Sequence, residues 1–189
     1  LRSILRQDPN IIMIGEIRDY ETVDIAIKSA LTGHLVLSTL HTTTAAGAVV
    51  RLVNMGVEPY LINSSLVCVM AQRLVRKVCA NCKESYVLKN EIAASLKLDT
   101  TKTDKMRFYK GKGCQQCFNT GYSGRTAIAE VLQISSKIRE LILNGSQEQF
   151  IKQQARLEGM RTLREDGLTA VLAGLTTIEE VLRVTAPDE

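Results

Sequence analysis

Two groups of residues in this chain have the types and spacing to do chemistry. The first is a pair of C-x-x-C knuckles, Cys79-Ala80-Asn81-Cys82 and Cys114-Gln115-Gln116-Cys117. Two such knuckles present four thiolates that can close a tetrahedral site around a metal ion. Zinc fits that donor set, because it favours sulfur and has no redox chemistry. Four protein thiolates leave no open position for water, so the ion's role would be structural. The second group is Glu16, His34 and His41. Glu16 closes a short apolar run, and the two histidines bracket another. A carboxylate at the end of one strand and an imidazole at the end of its neighbour can share one crevice.

The elements that must position the second group are legible from pattern. Ile11 to Ile14 form an uninterrupted, mostly β-branched run. Such a run suits a strand buried on both faces, in a parallel sheet covered by helices. Gly15 and Glu16 end it, and ligands of open α/β sheets sit outside the carboxyl ends of strands. Asp19 is placed to N-cap a helix. Val23, Ile27, Ala30 and Leu31 make one apolar stripe on that helix, and Gly33 stops it. Leu35 to Leu37 with Leu40 make a second strand, with His34 before it and His41 after it. The strand–helix–strand order points to a right-handed crossover. Glu16 and His41 would then face one rim.

The remaining chain is read by its punctuation. Residues 1–6 read as the end of an incoming helix, which makes this a carboxyl-terminal fragment in expectation. Thr42 to Thr44 offer N-caps for a helix carrying Ala46, Val49, Val50 and Val53, stopped by Gly56. Glu58-Pro59 opens a third helix, with proline in the first turn where its missing N–H costs nothing. Leu61, Ile62, Ser65, Leu66, Val69 and Met70 are assigned to its buried side, with Cys68 as a small buried residue among them. Gln72 to Val78 reads as extended. Glycine-bearing turns, Lys110 to Gly113 and Gly121 to Gly124, flank the second knuckle. Between the knuckles, 91–106 begins as a short helix and becomes an exposed polar loop. Beyond them, Ile134, Ile138, Leu141 and Ile142 form a stripe closed by Gly145. Three capping boxes follow: Ser146 with Gln149, Thr162 with Glu165, and Thr176 with Glu179.

Composition narrows the function classes. The chain has 189 residues, of which 45% are hydrophobic, so a sizeable core can be buried. Tryptophan is absent and only 4% of residues are aromatic, which argues against a stacking platform for single-stranded nucleic acid. A net charge of +4 is too modest to demand a nucleic-acid partner. No apolar run approaches the ~20 residues that span a bilayer, and no signal peptide is legible. Paired cysteines in this pattern suggest metal binding in a reducing cytosol rather than a disulfide framework.

Residues 8–19, D-P-N-I-I-M-I-G-E-I-R-D, and 32–42, T-G-H-L-V-L-S-T-L-H-T, resemble the Walker B and histidine boxes of the secretion ATPase superfamily. These are the hexameric motors of type II secretion and type IV pilus assembly. By that resemblance, Glu16 is the Walker B glutamate near magnesium and the attacking water, with Arg18 beside it at the cofactor. His34 and His41 belong to the surroundings of the γ-phosphate. Q-R-L-V-R leads out of the ATPase core, where Arg73 and Arg76 read either as contacts to a neighbouring subunit or as a solvated basic edge. The tetracysteine element is expected in assembly motors and generally missing from retraction motors. G-Y-S-G-R-T-A-I-A-E, residues 121–130, resembles the segment that rejoins the core. M-R-T-L-R-E-D-G-L and I-E-E-V-L-R-V-T resemble the family's carboxyl end.

The implied fold is α/β. Residues 1–78 would form part of a RecA-like P-loop core, 79–121 a zinc-binding insert, and 122–189 a return segment and small helical domain. The implied activity is ATP hydrolysis with Mg2+ by a cytoplasmic homo-hexamer. It would act on an inner-membrane platform and adaptor proteins, with no nucleic acid and no membrane span of its own. One feature departs from the family pattern: no G-x-x-x-x-G-K-[ST] occurs in the chain. That loop supplies the backbone cradle and lysine for the phosphates, and the family's upstream aspartate box and arginine contacts are missing too. The fragment alone is therefore expected to be inactive. Two rivals from other classes are a non-enzymatic zinc-bearing interaction module and a zinc-ribbon nucleic-acid binder.

Overall fold

The structure, a computed structural model, describes residues 7, 9–88, 94, 96 and 106–187. The expected incoming helix over 1–6, Asp8 of the first motif, and most of the expected helix and loop over 91–106 lie outside the described residues. The architecture is α/β. Packing divides the chain into two compact units, each assembled from two separated stretches. One comprises Leu1–Ala71 and Val131–Met160, the other Gln72–Glu130 and Arg161–Glu189. The three-part division drawn from motifs follows other boundaries, because motif position and packing are different criteria.

In the first unit, β1 (Ile11–Ile14) pairs in parallel with β2 (Leu35–Ser38), in register from Ile11 opposite Leu35 to Ile14 opposite Ser38. Helix α1 (Tyr20–Leu31) makes the crossover between them. Asp19 caps it as expected, its carboxylate accepting from the Thr22 N–H at 2.8 Å. The expectation that β1 is buried on both faces is corrected. Ile12 and Ile14 are buried, but Ile11 and Met13 are 60% and 77% exposed. Successive strand side chains point to opposite faces, and only one face of this pair is covered among the described residues.

Helix α2 (Ala45–Asn54) is capped by Thr44, whose hydroxyl accepts from the Gly47 N–H. Helix α3 (Pro59–Ser65) begins on its proline. It ends at Ser65, earlier than expected, and β3 (Cys68–Val78) follows. Cys68 and Met70 therefore lie on a strand and are exposed, not on the buried side of a helix. Val67 and Val69 explain the change: β-branched side chains are stiff and favour the pleated backbone. The 72–78 segment is extended, as expected.

Helices α4 (Ser136–Leu143) and α5 (Glu148–Leu157) complete this unit. Ile138, Ile142 and Ile151 are buried with Val49 and Ile62. The Ser146 capping box does not form; the N-cap is Gln147, without a side-chain bond.

The second unit holds β4 (Lys83–Tyr86), antiparallel to β5 (Phe108–Gly111), together with helices α6 (Leu163–Leu172) and α7 (Ile178–Val184). Its core gathers Leu88, Phe108, Leu168, Val171, Ile178 and Val181. Strand β6 (Tyr122–Gln133) forms a two-stranded sheet with β3. The Thr162 box forms in full, with the Glu165 N–H reaching Thr162 Oγ1 and the Glu165 carboxylate accepting from the Thr162 N–H. The box expected from Thr176 moves by one residue: Thr177 caps α7 by accepting from the Glu180 N–H. Thr176 instead donates to the Arg76 carbonyl at 2.8 Å. Among the described residues, no helix is long and apolar enough to cross a membrane.

Candidate functional site

The rim forms because β1 and β2 run parallel, so the loops after both strands leave from the same edge. Ile17 N–H donates to the Thr39 carbonyl at 2.9 Å, and Thr39 Oγ1 donates to the Gly15 carbonyl at 2.7 Å. These bonds extend the pairing past the last ladder residues and carry the two loops outward together. Glu16 and His41 then meet: His41 Nε2 lies 2.9 Å from Glu16 Oε2. Arg18 Nη2 sits 2.5 Å from the other carboxylate oxygen. The imidazole first and the guanidinium second hold the Glu16 carboxyl below its ordinary range. The result is an ionised carboxylate with both oxygens engaged, one by each partner. Behind it lies an apolar cavity of about 310 Å³, whose lining includes Ile17, Ile27, Val36, Leu40 and Thr42.

His34 is not brought to this rim. It precedes β2, at the opposite end of the strand from His41. Its Nδ1 is 2.9 Å from the Ser29 carbonyl and 3.1 Å from Thr32 Oγ1. Since a carbonyl only accepts, Nδ1 carries the proton in that bond.

The four knuckle cysteines converge. Their sulfurs all lie within 4.8 Å of one another, with Cys79–Cys114 at 3.9 Å, Cys82–Cys117 at 3.8 Å and Cys114–Cys117 at 3.7 Å. A tetrahedron with metal–sulfur bonds near 2.3 Å has edges of about 3.8 Å, so these separations suit one metal ion. None of the cysteines is disulfide-bonded. Backbone turns orient the sulfurs. Gly113 N–H points at Cys82 Sγ, and the N–H groups of Cys114 and Gly121 point at Cys117 Sγ.

Burial opposes ionisation at Cys117, but its two backbone donors outweigh it and bring the thiol down to about 6. At Cys82 burial dominates and pushes the thiol up to about 11. The glycines permit close approach here: a Cβ on Gly111 would collide with the Gly121 backbone.

Sequence reasoning missed a third cluster. Glu180 is buried, yet its carboxylate accepts from the Arg76 N–H at 2.9 Å and from Arg76 Nη2 at 2.6 Å. Arg183 adds Nε and Nη2, both at 3.0 Å. Burial raises its pKa, but the two guanidinium groups prevail and hold it far below the carboxylate range. Arg76 also stacks 4.2 Å over the Tyr122 ring. Arg76 thus has an internal role that neither sequence reading described, while its side chain stays about half exposed. The signal was Glu179-Glu180 two and three residues after a threonine, a second possible capping register.

A family model and curated relatives place the chain in one family. The description "Type II/IV secretion system protein" matches residues 1–183. The chain belongs to the type II/IV secretion system protein family. A relative from Thermus thermophilus, "Type IV pilus assembly ATPase PilB", is 52% identical over 185 residues, covering 98% of this chain and 21% of that protein. "Type II secretion system protein E" of Pseudomonas aeruginosa is 50% identical over 185 residues, covering 98% of this chain and 36% of its own length. This member of the family therefore spans about a fifth to a third of those two proteins. The solved structure of the ATPase DotB from Legionella pneumophila superposes with a TM-score of 0.64 at 22% identity, over 97% of this chain and 40% of that one. That likeness is one of fold.

Proposed function

We propose that this chain carries the hydrolytic rim of a hexameric secretion or pilus-assembly ATPase with a RecA-like core. The observation that supports it most is the convergence of Glu16, Arg18 and His41 at the carboxyl ends of two parallel strands. In the intact motor, Glu16 binds magnesium or its waters and orients the attacking water. Bound magnesium would supply charge neutralisation at the phosphates. His41 hydrogen-bonds the γ-phosphate and registers its loss, and Arg18 keeps Glu16 ionised. His34 fixes the start of β2 and acts on the rim only through that strand.

The four cysteines hold one structural zinc. The motor is cytoplasmic and held at the inner membrane by its platform and adaptor proteins, and turnover moves that platform.

The chain contains no phosphate-binding lysine loop, so it does not turn over ATP by itself. Without that loop, phosphoryl transfer lacks most of its electrostatic stabilisation. The test compares the 189-residue chain with the intact motor, and the motor with its His41→Ala variant. The chain alone should show no turnover. His41→Ala should lower hydrolysis in the motor, with zinc content and melting temperature unchanged. Steady turnover by the chain alone, or losses only in proportion to unfolded protein, would contradict the proposal.

A further inference from the structure

His41 lies in a short span, 40–43, between two fixed points. At one end Thr39 is tied to the Glu16 loop through Ile17 N–H and the Gly15 carbonyl. At the other end Thr44 starts α2, and its hydroxyl does two things at once. It accepts from the Gly47 N–H at 2.9 Å and donates to Glu148 Oε1 at 2.5 Å. Glu148 is the first residue of α5, more than a hundred positions away in sequence.

Its carboxylate lies over the start of α2 and belongs to the first turn of α5, so a single negative charge serves two helix N-termini. Gly47 is the reason it can come so close. A Cβ there would stand 2.7 Å from Thr44 Oγ1 and 3.2 and 3.3 Å from the two Glu148 oxygens. Between the fixed points, Thr42 Oγ1 donates to the Thr44 carbonyl, which passes the anchor on towards His41.

We infer that Glu148 is a positioning residue for His41, acting through Thr44, and that this contact links the rim to α5. It touches neither Glu16 nor His41. Its effect is to remove slack from the span that carries the imidazole. The geometric link stands on the contacts above; its bearing on turnover rests on the proposed role of the rim.

The sequence holds only two histidines, which makes a selective test available. Nitrogen-15 NMR of the 189-residue chain reads both imidazoles, and His34, held by the Ser29 carbonyl at the far end of β2, serves as the internal control. In Glu148→Ala, the His41 ring signals should shift and broaden as its bond to Glu16 opens, while those of His34 stay in place. Glu148→Gln keeps an oxygen for the Thr44 hydroxyl and should retain the wild-type spectrum. Gly47→Ala, which crowds the same contact, should reproduce the His41 change.

Unchanged His41 signals in both Glu148→Ala and Gly47→Ala would overturn the inference. So would a shift of both histidines together, or Gln behaving as Ala. In the intact motor, Glu148→Ala should lower turnover about tenfold with ATP affinity held, the scale of a lost orientation. If the His41 signals move but turnover does not, the anchor stands and the proposed role of the rim fails.

Discussion

The Glu16 rim and the cysteine cluster both hold polar atoms in fixed geometry, but by opposite means. At the rim, side chains hold side chains. Glu16 is a third exposed, and its partners Arg18 and His41 are 72% and 80% exposed. At the cysteines, backbone N–H groups of tight turns aim the sulfurs, and Cys79 and Cys117 are buried. An arrangement of long, solvated side chains is weak on its own and free to rearrange. One built from turns is rigid before any ligand arrives. On the proposed function, the contrast separates a place that must admit a ligand and respond to it from one that only has to stay folded.

The largest effect that would test the contrast is loss of the metal. Purified chain should contain one zinc, and Cys114→Ser should abolish it. Structural zinc contributes ~10–16 kcal/mol of apparent binding energy in small peptides. Stripping the ion should therefore raise amide exchange across 79–88 and 106–121, while the buried Val49, Ile62 and Ile138 core stays protected. Elemental analysis without zinc, or a disulfide between the knuckles, would remove the closed half of the comparison.

A smaller effect is expected at Glu180. Removing one member of a buried ion pair costs several kcal/mol, but Arg76 and Arg183 are each about half exposed. Discounted for that screening, Glu180→Ala should cost about 2–3 kcal/mol, read by denaturant unfolding. The pH dependence follows from the lowered pKa. The stabilisation is fully present above the unfolded value, near 4.5, and is lost as pH falls through the folded one. The stability gap between wild type and variant should thus narrow progressively in acid. A gap that widens below pH 4.5 would mean that Glu180 is not held ionised.

The smallest effect is at the helix cap beside the rim. Asp19→Ala should cost about 1 kcal/mol and leave zinc content alone. A drop in bound zinc on that substitution would erase the distinction between the two regions.

What the sequence made legible was local. The β1–α1–β2 crossover, the caps at Asp19, Thr44 and Thr162, and the meeting of four cysteines all follow from short patterns with a single mechanism behind each. What escaped depended on packing. Ile11 and Met13 read as core because an apolar run does not say which of its faces will be covered. Cys68 read as helical because Leu61 to Met70 carries helical spacing, while Val67 and Val69 favour a strand. Thr176 and Thr177 are equivalent as caps until β3 claims the hydroxyl of Thr176 through the Arg76 carbonyl. The Arg76–Glu180 and Thr44–Glu148 contacts escaped for the same reason: each joins residues about a hundred positions apart. At the rim, pattern placed Glu16 and His41 together and His34 at the other end of β2; what pattern did not show is the bond of His34 to the Ser29 carbonyl.

The most direct measurement is ATP affinity and turnover of Glu16→Gln in the intact motor, on the same preparations used for zinc content and melting temperature. Removing the charge while keeping the shape should preserve ATP binding and cut hydrolysis by ~10²-fold or more, the scale of a lost acid–base group. Zinc and melting temperature should not change. Near-normal turnover by Glu16→Gln would contradict the assignment of this rim to ATP hydrolysis.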